Sequence, residues 1–282
     1  MKDATIWQHI EELRWTLVRS IVVLCVLTIV AFAFKDFVFN SVVLAPCFKD
    51  FISYRLINKL ISVFSPDFAM MPVDISLINI NLAAQLFIHL SMSFYIALIV
   101  AIPYLVTEIW LYVSPALYSS ERKPAVTGVI SFALLFFLGV FVAYYIIFPV
   151  TLSFLSTYQV SEAVPNQISL NSYISTFLSL ILMIGVVFEM PIVAYFFAKI
   201  GVLKAAFLRK HRKIAIVAIL TLAAIITPTT DIFTMLLVAV PLQLLYEFSV
   251  LVVRRVERRK AKTDKADKTD NTAPSFRPEA KP

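Results

Sequence analysis

Apolar runs long enough to cross a lipid bilayer divide this sequence, and no other feature restricts its folding as much. A helix rises about 1.5 Å per residue, so about 20 apolar residues cover a hydrocarbon core. The runs are Thr16 to Phe34, Gln85 to Tyr112, Ala125 to Pro149, Tyr173 to Ala198, Ile214 to Thr227 and Ile232 to Val253. In lipid each backbone amide must find its partner inside the spanning element, so the runs predict an all-α membrane protein with six transmembrane helices. Composition agrees: 60% of the residues are hydrophobic and 15% charged, where soluble domains carry about 45–50% and about 25%. The fifth run stands apart, because its roughly 14 residues between Lys213 and Pro228 span about 21 Å of a core about 30 Å thick. It is expected either to be buried beside longer neighbours or to thin the membrane around it.

A net charge of +7 raises the question of a nucleic-acid partner, which the placement of the charges answers. Lys2, Arg14, Arg19, Arg122 and Lys123, six cations from Lys199 to Lys213 and ten from Arg254 onward, 21 of the 25, fall on one side of the alternating loops. Lys35, Lys49, Arg55 and Lys59 fall on the other. Cations collect in cytoplasmic loops, so both termini are expected to be cytoplasmic and the charge reports topology, not nucleic-acid binding. Residues 1–253 read as one transmembrane domain with a long extracytoplasmic loop over about 36–84. Residues 254–282 read as a basic cytoplasmic tail, disordered for want of apolar periodicity. Within the long loop Phe48, Phe51, Ile52, Leu56, Leu60, Val63 and Phe64 recur at helical spacing, which predicts a cap helix over the outer face. Cys25 lies inside the first run and Cys47 beyond its end, so they form no disulfide pattern. Asp3, Glu11 and Glu12 precede the first run and no small-residue cleavage site follows it, so it is expected to stay as a permanent helix.

Catalytic signatures are lacking: His9, His89 and His211 are scattered, HExxH and GxSxG do not occur, and four glycines leave no phosphate-binding loop. No cofactor, nucleotide or metal site is expected, and the chain does not read as an enzyme. Carboxylates in unusual places are what remain. Glu12 sits in His9-Ile10-Glu11-Glu12-Leu13-Arg14, on an amphipathic segment at the headgroups, where it either pairs with Arg14 or Arg19 or does something more specific. Glu121 lies in the link that runs from Ser114-Pro115 through Tyr118 to Arg122-Lys123. Glu189, in Val186-Val187-Phe188-Glu189-Met190-Pro191, is deep inside the fourth run, where a carboxylate must be protonated or paired. Pro191 frees the Val187 carbonyl and lets the helix bend, so Glu189 either satisfies that backbone or forms a proton-responsive polar contact. Asp231 reads as a helix N-terminal charge beside Thr227-Pro228-Thr229-Thr230. Glu247 reads as a structural ion pair with Arg254, two turns on.

Together these segments resemble the TatC family, the signal-receptor subunit of the twin-arginine protein translocase. The likeness runs from H-I-E-E-L-R through Leu44-Ala45-Pro46, I-W-L-Y-V-S-P-A-L-Y-S-S-E-R-K, Phe148-Pro149 and V-V-F-E-M-P to T-P-T-T-D. It implies a concave bundle in a bacterial inner membrane, with Pro46, Pro115, Pro149, Pro191 and Glu247 in structural roles. It also implies that Glu12 and Glu121 bind the paired arginines of a signal peptide, with Leu13, Arg14, Tyr112, Tyr118 and Arg122 nearby. Guanidinium is planar and can bind carboxylate through two parallel N–H bonds, so two carboxylates could tell Arg-Arg from Lys-Lys. The partners implied are signal peptides of folded cargo, TatA- and TatB-like single-span proteins docking at Glu189, Asp231 and Met235, further copies of the chain, and membrane lipid. The sequence departs from the family pattern in carrying Met235 and Glu108 where glutamine is common, Tyr112 where phenylalanine is common, and a long first loop. The rival reading is a proton-coupled small-solute transporter using Glu189, which predicts an inverted repeat.

Overall fold

The computed structural model describes residues 6–64, 75–113, 122–159, 161, 166–227 and 231–270. Helix α1 (Ile6–Ala33) leads into a π-helical turn (Phe37–Val43) and a 3-10 turn (Ala45–Cys47). The long loop carries a helix where the apolar spacing predicts one, α2 (Ile52–Phe64). Beyond strand β1 (Leu77–Ile78), α3 (Ala84–Val113) returns along α1. Next come α4 (Arg122–Val142), a π turn (Ala143–Ile147), α5 (Phe148–Thr157) and strand β2 (Ile168–Ser169). The two short strands pair in parallel, Leu77 with Ile168 and Ile78 with Ser169. The chain ends through α6 (Leu170–Val187), α7 (Met190–Ile200), α8 (Ala205–Lys210), α9 (Arg212–Ile226) and α10 (Ile232–Asp270).

Among the described residues, five stretches are long and apolar enough to cross a membrane: Ile10–Ala33, Ala84–Ile109, Gly128–Thr157, Leu170–Ile200 and Ile232–Lys260. The fifth sequence run forms α9, whose 15 residues make about 22 Å of helix. Half of an 18-residue apolar window within Leu170–Ile200 is buried, against 11% of the corresponding window within Ile10–Ala33, so α6 lies toward the centre of the molecule and α1 at its rim. Leu180 and Ile184 of α6 are fully buried among Phe148, Ile226, Val238 and Leu242.

Prolines account for most departures from the expected spans. The third run does not end at Pro149 but continues to Thr157. The π turn just before it widens the helix, and Pro149 then falls in the first turn of α5, where a missing N–H costs little. The fourth run is divided at Phe188 and Glu189, with Pro191 in the first turn of α7. In the turns after α1, Pro46 is buried in the 3-10 turn, and three tyrosines close over irregular backbone. Tyr54 donates to the Pro46 carbonyl at 2.7 Å, Tyr144 to that of Val42 at 2.7 Å, and Tyr173 to that of Val43 at 2.6 Å. Such carbonyls would otherwise lie buried without a partner, at about 1–3 kcal/mol each. Cys47 is enclosed in the same place, and burial pushes its thiol above the ordinary range. The last helix does not stop at Val253. It runs to Asp270, so helix replaces the expected disorder over 254–270. Its Arg, Lys, Glu and Ala residues are strong helix formers and extend a helix already nucleated in the span.

Candidate functional site

Helices α1 and α3 pack together along their lengths, and a polar contact fixes their register. Arg19 donates from Nε at 3.2 Å and from Nη2 at 2.9 Å to one oxygen of Glu108, while Tyr104 donates to the other at 2.7 Å. Glu108 keeps 8% of its side-chain exposure and Arg19 keeps 52%, so the carboxylate is enclosed while the guanidinium still reaches out. Arg19 is therefore not the partner of Glu12, as the simplest electrostatic reading had it, and Arg14 lies 5.5 Å over the Trp15 ring. Glu12, Leu13 and Arg14 are exposed, and among the described residues Glu12 makes no ion pair. Glu12 precedes Arg19 by seven residues and Tyr112 follows Glu108 by four, so each shares a helix face with its pair member. The lock thus brings Glu12 and Tyr112 toward the same end of the α1–α3 seam. Pro115, Tyr118 and Glu121 lie outside the described residues, and of Arg122 only the backbone is described, at the start of α4.

Sequence reasoning missed this pair, though the signal was present. Arg19 and Glu108 are opposite charges set inside apolar runs, and such charges must find each other or water.

Glu189 lies at the break between α6 and α7 and is 4% exposed, with neither carboxyl oxygen hydrogen-bonded among the described residues. The backbone of Phe136 adjoins it without satisfying a hydrogen bond's geometry. Glu189 therefore does not satisfy the freed Val187 carbonyl. Glu189 is one of the residues around a cleft of about 400 Å³ whose other walls, including Ile102, Phe132, Phe136, Val193 and Leu222, are apolar, and both of its carboxyl oxygens are buried. Among the described residues the carboxyl is thus a buried polar group without a partner, which carries a free-energy cost in apolar walls.

Asp231 caps α10 as expected, accepting from the Thr234 amide at 2.7 Å and from the Thr234 hydroxyl. Met235, one turn on, is half-buried against the core. Glu247 is corrected: it pairs with Arg212 at 2.6 Å and not with Arg254. The turn after α8 brings Arg212 to α10, which sequence distance alone does not show. At the C-terminal end of the short α9, Ser179 donates to the Ile226 carbonyl at 2.8 Å, so this carbonyl is satisfied within protein.

The spans and their enclosed carboxylates define a multi-pass membrane protein of helical type. Residues 8–241 match the family described as Sec-independent protein translocase protein (TatC), and the chain belongs to that family. Among its relatives, the TatC protein of Blattabacterium sp. subsp. Periplaneta americana is 35% identical over 90% of this chain and 96% of its own length. That of Aquifex aeolicus is 32% identical over 92% and 98%. A crystal structure of the twin arginine translocase receptor TatC superposes with a TM-score of 0.66 at 31% identity, covering 88% of this chain and 99% of that one. The chain is thus a component of a bacterial protein translocase, and the small-solute transporter reading is not carried further.

Proposed function

We propose that this chain receives twin-arginine signal peptides of folded cargo at Glu12 and Glu121 on the cytoplasmic surface of the inner membrane, both termini lying on that side. Leu13, Arg14, Tyr112, Tyr118 and Arg122 surround the peptide. The observation that carries this reading is the division of labour among the charges of α1: Arg19 is held by Glu108, which leaves Glu12 exposed and without an ion pair among the described residues. A carboxylate kept clear of neighbouring cations is available to an incoming guanidinium. The similar solved protein is a twin arginine translocase receptor, which supports the same role. Glu189, Asp231 and Met235 offer the sites at which TatA- and TatB-like single-span partners dock, and further copies of the chain complete the assembly for export driven by the proton motive force. In cells depleted of the native receptor, Glu12→Lys and Glu121→Lys should each abolish export of a twin-arginine reporter while the chain still accumulates in the membrane. Normal export by both variants would refute the assignment.

A further inference from the structure

A second charged feature lies away from the α1–α3 seam, where α7 meets the far half of α10. The two helices approach closely because Ala194 and Ala198 of α7 pack with Ala205 and Val253, all buried. Beside this contact a cleft of about 620 Å³ opens. One wall is Tyr195 and Lys199, one turn apart on α7. The other is a single face of α10, with Val252, Arg255, Val256, Arg259 and Lys260 at the three-and-four spacing that aligns side chains on a helix. Glu257, the acidic residue of that stretch, is turned aside and accepts from the Ala205 amide at 3.0 Å. Lys199, Arg255, Arg259 and Lys260 border the cleft together with Val252 and Val256, and Val252 lies one turn nearer the apolar part of the span than Val256.

We propose that this cleft binds an anionic phospholipid, its phosphodiester held by Lys199, Arg255, Arg259 and Lys260 and its acyl chains running over Val252 and Val256. Three observations favour lipid over a freely diffusing anion. The cleft lies where the Leu170–Ile200 and Ile232–Lys260 spans end, and the ends of spans are where headgroups and cations meet. It is amphipathic in the sense a lipid is, cationic at the span ends and apolar toward the core. Its volume is of the size that holds a small-molecule ligand, about 300–1,000 Å³. Tyr195 lies on the cleft wall one turn inside Lys199, a position where an aromatic ring with a polar tip suits the membrane interface.

The test is native mass spectrometry of the full chain, counting retained phosphatidylglycerol and phosphatidylcholine, with inorganic phosphate as competitor. The wild type should retain phosphatidylglycerol preferentially, and millimolar phosphate should not displace it. Arg255→Gln with Arg259→Gln should weaken retention by about fivefold for each charge removed. Arg254→Gln with Arg258→Gln, which removes the same charge from other faces of the same helix, should leave retention unchanged. Lys199→Gln, on the facing helix, gives an independent second reading and should also weaken it. Equal loss from the two arginine pairs would reduce the effect to net charge and overturn the site, as would ready displacement by phosphate. Because the readout is lipid retention, it is separate from signal-peptide binding.

Discussion

Arg19 and Glu108 form an asymmetric pair, and the asymmetry sets what each substitution does. Glu108 is enclosed and accepts from both Arg19 and Tyr104, whereas Arg19 keeps half its exposure. Removing the cation strands a buried carboxylate, which costs about 3–5 kcal/mol. Replacing the carboxylate with an amide preserves an acceptor for Tyr104 and leaves Arg19 free to reach water, which costs about 1 kcal/mol. Thermal midpoints in detergent micelles should therefore fall much further for Arg19→Ala than for Glu108→Gln, and the reverse order would show that the pair does not hold the seam. Glu189 calls for the opposite logic. Its carboxyl is buried without a hydrogen-bond partner among the described residues, so an apolar replacement relieves the isolated chain. Glu189→Leu should raise the thermal midpoint, by about 1–3 kcal/mol of stability, while lowering export. Glu189→Gln should keep more export than Glu189→Ala. A Leu variant that is both destabilised and fully active would remove the reason for a carboxyl at this position.

The packing of α4 on α6 depends on two glycines that touch. A Cβ at Gly139 would stand 2.7 Å from Phe188 Cβ and 2.9 Å from Gly185 Cα, contacts that backbone cannot yield to. Gly139→Ala should force the helices apart beside the Glu189 break and cost about 1–3 kcal/mol, measured as a lowered midpoint; an unchanged midpoint would mean the seam is looser than these distances. Gly139 and Gly185 show what the sequence conceals, because a glycine inside an apolar run says nothing about which helix it faces. The runs themselves were legible, since hydropathy over 20 residues answers directly to bilayer thickness. So was helix α2, whose apolar residues keep the helical period, and so was the Asp231 cap, which is a local interaction. The Arg212–Glu247 and Arg19–Glu108 pairs were not, because they join residues 35 and 89 positions apart. The continuation of α10 to Asp270 was hidden for another reason: composition suggested disorder, while cooperativity from the adjoining span favoured helix.

At the scale of the whole molecule, the chain is a central α6 surrounded by helices whose polar residues are divided by task. Arg19 with Glu108 and Arg212 with Glu247 hold helices together, and three tyrosines bind the turns between α1 and α2. Glu12 and Glu189 are left out of that internal bonding, one at the surface and one in an apolar cleft. A protein that assembles with other polypeptides in a membrane needs such reserved groups, since a polar contact already satisfied internally has nothing to offer a partner. The exposed carboxylate at the rim is the claim on which the receptor role depends. It is tested most directly by equilibrium binding of a twin-arginine signal peptide to the full chain in lipid nanodiscs, comparing Arg-Arg with Lys-Lys forms. The account predicts that Glu12→Gln and Glu121→Gln each weaken the Arg-Arg peptide by about tenfold or more, as lost charge-assisted hydrogen bonds should. The double variant should then bind the two peptides alike. Undiminished preference for Arg-Arg in the double variant would contradict it.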